Sequence, residues 1–152
     1  MTRLFRIALD LRALRHPRRL VRYTSLRRES ALVVDRQSLR VLPAYLDAPI
    51  TRPFAHSLSE ATRDLPVLER WVSRFGALPD TCLYRAVARY VLLRSAGVVP
   101  RLCVGATADH VSDAGLVGHA WIELDGAPFL EPDDPRARFT TTWSHPATGS
   151  VG

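Results

Sequence analysis

The residues best suited to chemistry in this chain are a cysteine, a histidine and a carboxylic acid, each at the end of a predicted element. Cys82 follows the helix-start signal Pro79-Asp80-Thr81, and His119 opens a segment with strand alternation. Glu131 ends the next predicted strand. A thiolate attacks carbonyl carbons, an imidazole serves as its base, and an acceptor on the far nitrogen orients the imidazole. This order of residue types predicts nucleophilic catalysis by Cys82.

The position of Cys82 in the first turn of a helix favours its thiolate but is not sufficient for a strong nucleophile. Unpaired N–H groups and the helix dipole stabilise an anion there by at most about 1 kcal/mol. An ordinary thiol has a pKa of about 8.5, so this effect leaves the thiolate a minority at neutral pH. A cationic partner is therefore needed, and His119 is the best candidate.

The Asp125-Gly126 pair predicts a tight hairpin that brings an acid towards His119. In a two-residue turn the ladder places His119 opposite Pro132, one residue from Glu131. A bulge or a slightly longer turn would put Glu131 and His119 on one face. Asp133 and Asp125 remain alternatives for the same role.

The second cysteine has a different context from Cys82. Cys103 lies in the middle of a predicted strand, which indicates a core thiol. A zinc site made of Cys82, Cys103, His110 and His119 is conceivable, but no CxxC or HxxxH spacing supports it. We expect neither a metal nor another cofactor.

The elements that must position these residues predict an α+β fold. We expect a helix capped by Ser59 and stopped by Gly76, and a strong helix from Cys82 to Ala96. The first of these helices has one apolar stripe, made of Leu65, Leu68, Trp71, Val72 and Phe75. Strands are predicted at Leu102–Ala106, His119–Leu124 and Ala127–Glu131, with residues 107–117 as a polar loop. The helix that bears Cys82 should pack on this small antiparallel sheet. We expect a core at residues 57–135, preceded at 1–56 by a basic helix and an irregular segment, and followed at 136–152 by an extended tail.

Composition and charge limit the class of protein. The chain has 152 residues, about one domain, and no apolar run approaches the ~18 residues that span a bilayer. Arginines interrupt residues 1–14, so a secretory signal is not indicated and a cytoplasmic location is expected. All 21 basic residues are arginine. Residues 1–30 carry a net charge of +7 and the remainder −1.

The basic N-terminal arm could meet an acidic peptide, a protein partner, a nucleic acid or a membrane surface. Neither an aromatic-interleaved basic patch nor a helix-turn-helix pattern accompanies it, so we do not expect nucleic-acid binding.

Four segments together resemble the core of lasso-peptide leader peptidases, the peptidase half of the split B protein within the transglutaminase-like superfamily. They are Thr-Cys-Leu-Tyr-Arg-Ala at 81–86, Leu-Leu-Arg-Ser-Ala-Gly-Val at 92–98, Arg-Leu-Cys-Val-Gly at 101–105 and His-Ala-Trp-Ile-Glu-Leu-Asp-Gly at 119–126. The resemblance covers roughly residues 65–132. It implies a transglutaminase-like, papain-like core.

The resemblance also implies roles for single residues. Cys82 is the implied nucleophile and His119 the implied base. Glu131, twelve residues after the histidine, falls where the family has its triad carboxylate, usually Asp. Tyr84, beside the nucleophile, and Trp121, which has the same strand parity as His119, are candidate substrate-binding residues.

Proteins of this family cleave the leader from a ribosomally made precursor peptide. The resemblance therefore implies a leader peptide as substrate, a separate winged-helix protein that presents it, and an ATP-dependent macrolactam synthetase as a further partner. Residues 1–60 do not resemble the winged-helix domain, and we expect the basic arm and residues 30–56 to help dock the carrier or the leader.

Two other functions stay open from the sequence. The same triad supports acyl transfer to an amine, as in true transglutaminases, because only the acceptor differs. A catalytically inactive domain that binds peptide is the second alternative.

Overall fold

Four helices precede an antiparallel sheet in this computed structural model, which describes residues 17–36, 40–51, 54–55, 57–75, 78, 80–112 and 115–147. The helices are α1 (Pro17–Arg36), α2 (Leu42–Asp47), α3 (Leu58–Phe75) and α4 (Cys82–Ser95). The strands are β1 (Arg101–Ser112), β2 (Gly115–Leu124), β3 (Ala127–Pro128) and β4 (Thr140–His145), in the sheet order β3-β2-β1-β4. The predicted α+β class is confirmed. Among the described helices, none combines the length and apolar character that crossing a membrane requires.

Side-chain caps define where α3 and α4 begin. The Ser57 hydroxyl accepts from the backbone N–H of Glu60 at 3.1 Å, so the cap is Ser57, and Ser59, predicted as the cap, lies inside the helix. The Thr81 hydroxyl accepts from the N–H of Tyr84 at 3.2 Å. This cap satisfies one N–H of the first turn. It makes Cys82 the first residue of α4, as predicted.

Helix α4 lies at the centre of the fold and packs against α1, α3, β1 and β2. Its buried residues come from several sides of the helix, which is typical of a helix inside a core. They are Ala86, Val87, Ala88, Arg89, Tyr90, Leu92 and Leu93. The element that carries Cys82 is thus held in place by the hydrophobic core.

The predicted apolar stripe of α3 is largely correct. Leu65, Leu68 and Val72 are buried in the core, and Trp71 packs partly against it. Phe75 was expected on the same stripe but is 58% exposed. It is the last residue of the helix, where the core surface ends.

The segments that were expected to flank the core contribute to it. Helix α1 buries Leu20, Tyr23 and Leu26 in the same cluster as α4, and β4 completes the sheet beside β1. The domain boundaries expected at residues 56 and 135 stay a prediction. Residues 42–47, expected in an irregular stretch, form α2. The helix predicted over residues 1–14 lies outside the described residues.

The prediction of a loop at residues 107–117 is wrong. β1 continues to Ser112 and β2 begins at Gly115, so the two strands form a long antiparallel pair with a register shift between Ala106 and Val111. The polar composition of this segment suggested a loop. The hydrogen bonds between strands are made by the backbone, however, so polar side chains do not prevent a strand from forming.

The Asp125-Gly126 turn is confirmed, with φ of 50° and 78° at its two residues, the left-handed pair of a type I′ turn. The strand after it is shorter than predicted and ends at Pro128. Leu130 then adopts a φ of 54°. Because an L-residue rarely adopts this conformation, it marks a sharp departure of the chain from the ladder.

Gly105 allows the sheet and the chain before β4 to approach closely beside His119. It pairs directly with His119 across β1 and β2. A Cβ at this position would lie 2.9 Å from the carbonyl oxygen of Thr140 and 3.0 Å from both Phe139 Cβ and Trp121 Cη2. Only glycine fits there without displacement of these neighbours.

We expect Gly105→Ala to lower the free energy of unfolding by about 1–3 kcal/mol, as for an overpacked site. Gly118→Ala is the matched control, since its Cβ would meet only the Gly105 carbonyl oxygen at an ordinary 3.5 Å. The control should change stability by no more than about 0.5 kcal/mol. Urea unfolding followed by circular dichroism measures both. Equal losses in the two variants would contradict the steric argument.

Candidate active site

Cys82 is half-buried at the N-terminus of α4 and packs against the edge of the core cluster. Its backbone N–H is one of the first four of the helix, which have no carbonyl partner within the helix. Helix α4 packs against β2, the strand that carries His119. A thiolate at Cys82 is therefore stabilised by the N-terminus of α4.

The residues before Cys82 are anchored by Asp80. Its carboxylate accepts from the buried Arg27 of α1 at 2.9 Å and from Ser73 of α3 at 2.6 Å. Burial alone would raise the pKa of Asp80, but the Ser73 hydrogen bond and the charges of Arg85 and Arg27 lower it overall. Asp80 is thus ionised at neutral pH and ties the start of α4 to two other helices.

The His119 imidazole is half-buried and lies against two aromatic rings. The ring centroid is 6.0 Å from that of Trp121, in a stacked arrangement at 15°, and 5.3 Å from that of Phe139. These contacts restrict rotation of the imidazole. The orientation of the ring then depends on a polar contact at one of its nitrogens.

Glu131 supplies that polar contact. Its Oε2 lies 3.1 Å from Nε2 of His119. The positive φ of Leu130 turns the chain away from the strand pairing just before Glu131. Such an irregularity was expected from the sequence if Glu131 was to reach His119. Asp133 and Asp125, the alternatives, are exposed. Glu131 occupies Nε2, and none of the described residues forms a hydrogen bond with Nδ1. Nδ1 is therefore the nitrogen available to a thiol.

A buried arginine, Arg89, holds the other oxygen of Glu131. Its Nη1 donates to Glu131 Oε1 at 2.8 Å, while its Nε and Nη2 donate to the two oxygens of Glu69 at 2.6 and 2.9 Å. Burial lowers the pKa of Arg89, but the hydrogen bond and charge of Glu69 and the charge of Glu131 outweigh it, so its pKa is raised. Arg89 is therefore a permanent cation at this site.

Sequence reasoning missed Arg89 and Glu69. Arg89 follows Cys82 by seven residues, about two helical turns, so both residues lie on nearly the same face of α4. An arginine on the buried face of a strongly apolar helix is the signal that could have identified it, because buried charges are paired. Its partners, however, come from two other segments.

The two residues predicted to bind substrate lie in different surroundings. Trp121 has no exposed surface and donates its indole N–H to Glu123 at 3.2 Å. Its contact in the site is with the His119 ring. Tyr84 is half-buried, and its hydroxyl bonds to Asp35 near the end of α1, which raises the pKa of the phenol. Substrate binding by either residue stays a prediction.

Cys103 is a core residue, as predicted. It has no exposed surface, and burial, followed by the charge of Glu123, raises its pKa to about 12. It therefore stays a neutral thiol at physiological pH. Since the thiolate is the reactive form, Cys103 is chemically inert in the folded protein.

Comparison with known proteins agrees with this geometry. The family model of the transglutaminase-like superfamily matches residues 4–144. The chain therefore belongs to the transglutaminase-like superfamily, whose members are generally cysteine-dependent enzymes. The match includes α1 and nearly all of β4, in agreement with their place in one core. Neither the curated proteins nor the solved structures gave a match.

The contrast between the two cysteines predicts selective alkylation. We expect iodoacetamide to modify Cys82 in the folded protein and both cysteines in urea, because only Cys82 is accessible. At pH 6 Cys82 should react at least about tenfold faster than free cysteine, of which only about 0.3% is ionised. His119→Ala should abolish this advantage. Peptide mass spectrometry locates the adduct, and modification of Cys103 in the folded protein would contradict the assignment.

Proposed function

We propose that this protein is a cysteine peptidase that removes the leader from a ribosomally synthesised lasso precursor peptide before macrolactam formation. The observation that carries the proposal is the contact of His119 with Glu131 in a superfamily domain whose Cys82 begins the helix packed on the His119 strand. The choice of substrate rests on the resemblance of the segments around Cys82 and His119 to leader peptidases.

The reaction begins with proton transfer from the Cys82 thiol to Nδ1 of His119. The helix terminus stabilises the thiolate, and Glu131 stabilises the imidazolium. The thiolate then attacks the scissile carbonyl carbon. The oxyanion that forms accepts a hydrogen bond from the backbone N–H of Cys82, which is free for this purpose at the start of α4.

Collapse of this intermediate breaks the carbon–nitrogen bond. His119 gives its proton to the leaving amine, which departs as the new N-terminus of the core peptide. The leader remains attached to Cys82 as a thioester. His119 then takes a proton from water as the water attacks the thioester, and the thiol is restored. The products are a leader with a free carboxylate and a core peptide with a free amine.

The free amine explains the proposed partners. An ATP-dependent macrolactam synthetase would join it to a side-chain carboxylate of the core peptide. A winged-helix protein would present the leader to the peptidase. Acyl transfer to an amine uses the same thioester with another acceptor, so the same experiment must distinguish the two reactions.

Incubation of a lasso precursor peptide from the same gene neighbourhood tests the proposal. With the winged-helix carrier present, we expect wild type to cleave one bond and Cys82→Ala to cleave none. Mass spectrometry identifies the bond and hence the first residue of the core peptide. Parallel reactions without carrier show whether presentation is required.

Two results would contradict leader removal. An intact precursor with a mass increase after addition of an amine would indicate acyl transfer. An intact precursor with no mass change, in a sample that still binds the peptide, would indicate an inactive binding domain.

The role of Glu131 predicts a second effect on cleavage. Glu131→Gln keeps the size of the side chain but removes the charge that stabilises imidazolium, and we expect kcat/KM to fall about 100-fold or more. Asp133→Asn is the matched control, because Asp133 is exposed and lies two residues away. Its kcat/KM should stay within about twofold of wild type, as for an exposed, screened charge. An equal loss in both variants would exclude Glu131 as the specific acid.

A further inference from the structure

The site contains more charge than a Cys-His-acid triad requires. Glu69 from α3, Arg89 from α4 and Glu131 after β3 meet beside His119, and Arg89 is only 6% exposed. Burying an arginine and two carboxylates is costly unless they are well paired. Such an arrangement calls for an explanation beyond packing.

The geometry shows how Arg89 fixes the carboxylate of Glu131. The guanidinium donates to both oxygens of Glu69 through Nε and Nη2. Because Glu69 belongs to α3, this helix fixes the plane of the guanidinium. Its remaining Nη1 then points to Oε1 of Glu131 at 2.8 Å, and to the carbonyl oxygen of Phe129 at 3.4 Å. With Oε1 held, Oε2 faces Nε2 of His119.

Glu69 neutralises the charge of Arg89, which would otherwise weaken the attraction between Glu131 and a protonated His119. A cation 2.8 Å from Glu131 offsets the attraction of that carboxylate for imidazolium. The bidentate pair with Glu69 neutralises the guanidinium. The four groups together are then neutral when His119 carries its proton, and carry a charge of −1 when it does not. Without the charge of Glu69, the other three groups would carry a net charge of +1 when His119 is protonated.

We propose that Arg89 and Glu69 are positioning residues of this active site: Arg89 orients Glu131, and Glu69 cancels the charge of Arg89 so that Glu131 can stabilise the His119 imidazolium. This inference rests on the proposed Cys82–His119 chemistry. It adds two residues, from α3 and α4, that act on His119 through Glu131.

Other ionisable groups lie near this region on the neighbouring elements. Burial raises the pKa of Tyr23 well above its usual value, so this phenol, which donates to Glu69 at 3.3 Å, stays neutral. Charged groups nearby include the Arg27–Asp80 pair, the Arg101–Glu123 pair and Arg138, whose guanidinium lies over the Phe139 ring. The Cys82 thiol is removed in the test below.

The test follows the titration of His119 by NMR in a Cys82→Ala background, which removes the thiol and needs no substrate. Glu69→Gln should lower the titration midpoint of the His119 ring by about one pH unit, the order of effect of one nearby charge. The amide can still accept from Arg89, so the fold should persist, as checked by circular dichroism.

Glu60→Gln is the matched control. It removes the same charge from the same helix, at a carboxylate that pairs with Arg19. Glu60 precedes Glu69 by nine residues, about 13 Å along the helix axis. Because a charge shifts a pKa mainly when it lies within about 4–6 Å, the midpoint should move by less than about 0.2 units. Equal shifts in the two variants, or no shift in Glu69→Gln, would overturn the proposal.

Arg89→Lys tests the orienting part of the proposal in protein that retains Cys82. Lysine keeps the charge but not the planar fork, so it cannot hold Glu69 and Glu131 together. We expect the rate of Cys82 alkylation at pH 6 to fall about tenfold, the advantage attributed to the ion pair. An unchanged rate in a folded variant would show that Arg89 does not act on His119.

The two proposals can fail separately. A wild-type protein that cleaves no precursor would refute leader removal but would not alter the NMR titration. A protein that cleaves its precursor while Glu69→Gln leaves the midpoint unchanged would refute only the role of Glu69 and Arg89.

Discussion

The carboxylate of Glu131 is shared between the Arg89 guanidinium and the His119 imidazole, and much of the structure follows from this one contact. Burying the charge of Arg89 is costly unless the charge is paired, and the pairing comes from Glu69 on α3 and Glu131 after β3. The second carboxylate can reach the site only because β3 ends early and Leu130 turns the chain out of the ladder. Backbone strain at Leu130 thus lies next to the proposed catalytic contact, as is common at active sites.

Helix α4 combines packing with chemistry. Its apolar side chains fill the space between the other helices and the sheet, so its position is set by the core. Its first residue, Cys82, is left at the helix terminus, where an anion is favoured. Asp80 fixes that terminus from α1 and α3. Cys103, by contrast, is completely buried within the sheet, and this burial suppresses the reactivity of the second thiol.

Membership of the transglutaminase-like superfamily accounts for the class of chemistry but not for the acceptor. A thioester on Cys82 can be attacked by water or by an amine, and the triad is the same in both reactions. The difference lies in what surrounds the thioester when the leaving amine departs. The segments around Cys82 and His119 resemble those of peptidases that hydrolyse a leader peptide, so water is the proposed acceptor.

The sequence by itself determined the features that depend on neighbouring residues: the Thr81 cap that starts α4, the Asp125-Gly126 turn, and the order of cysteine, histidine and acid. Caps and two-residue turns are local, so their signals are readable in a few residues. Only the tertiary structure decided that α1 and β4 join the core, that residues 107–112 continue β1, and that Arg89 and Glu69 support Glu131. These features depend on contacts between residues far apart in the chain, and side-chain pairing at that distance leaves no periodic pattern in the sequence.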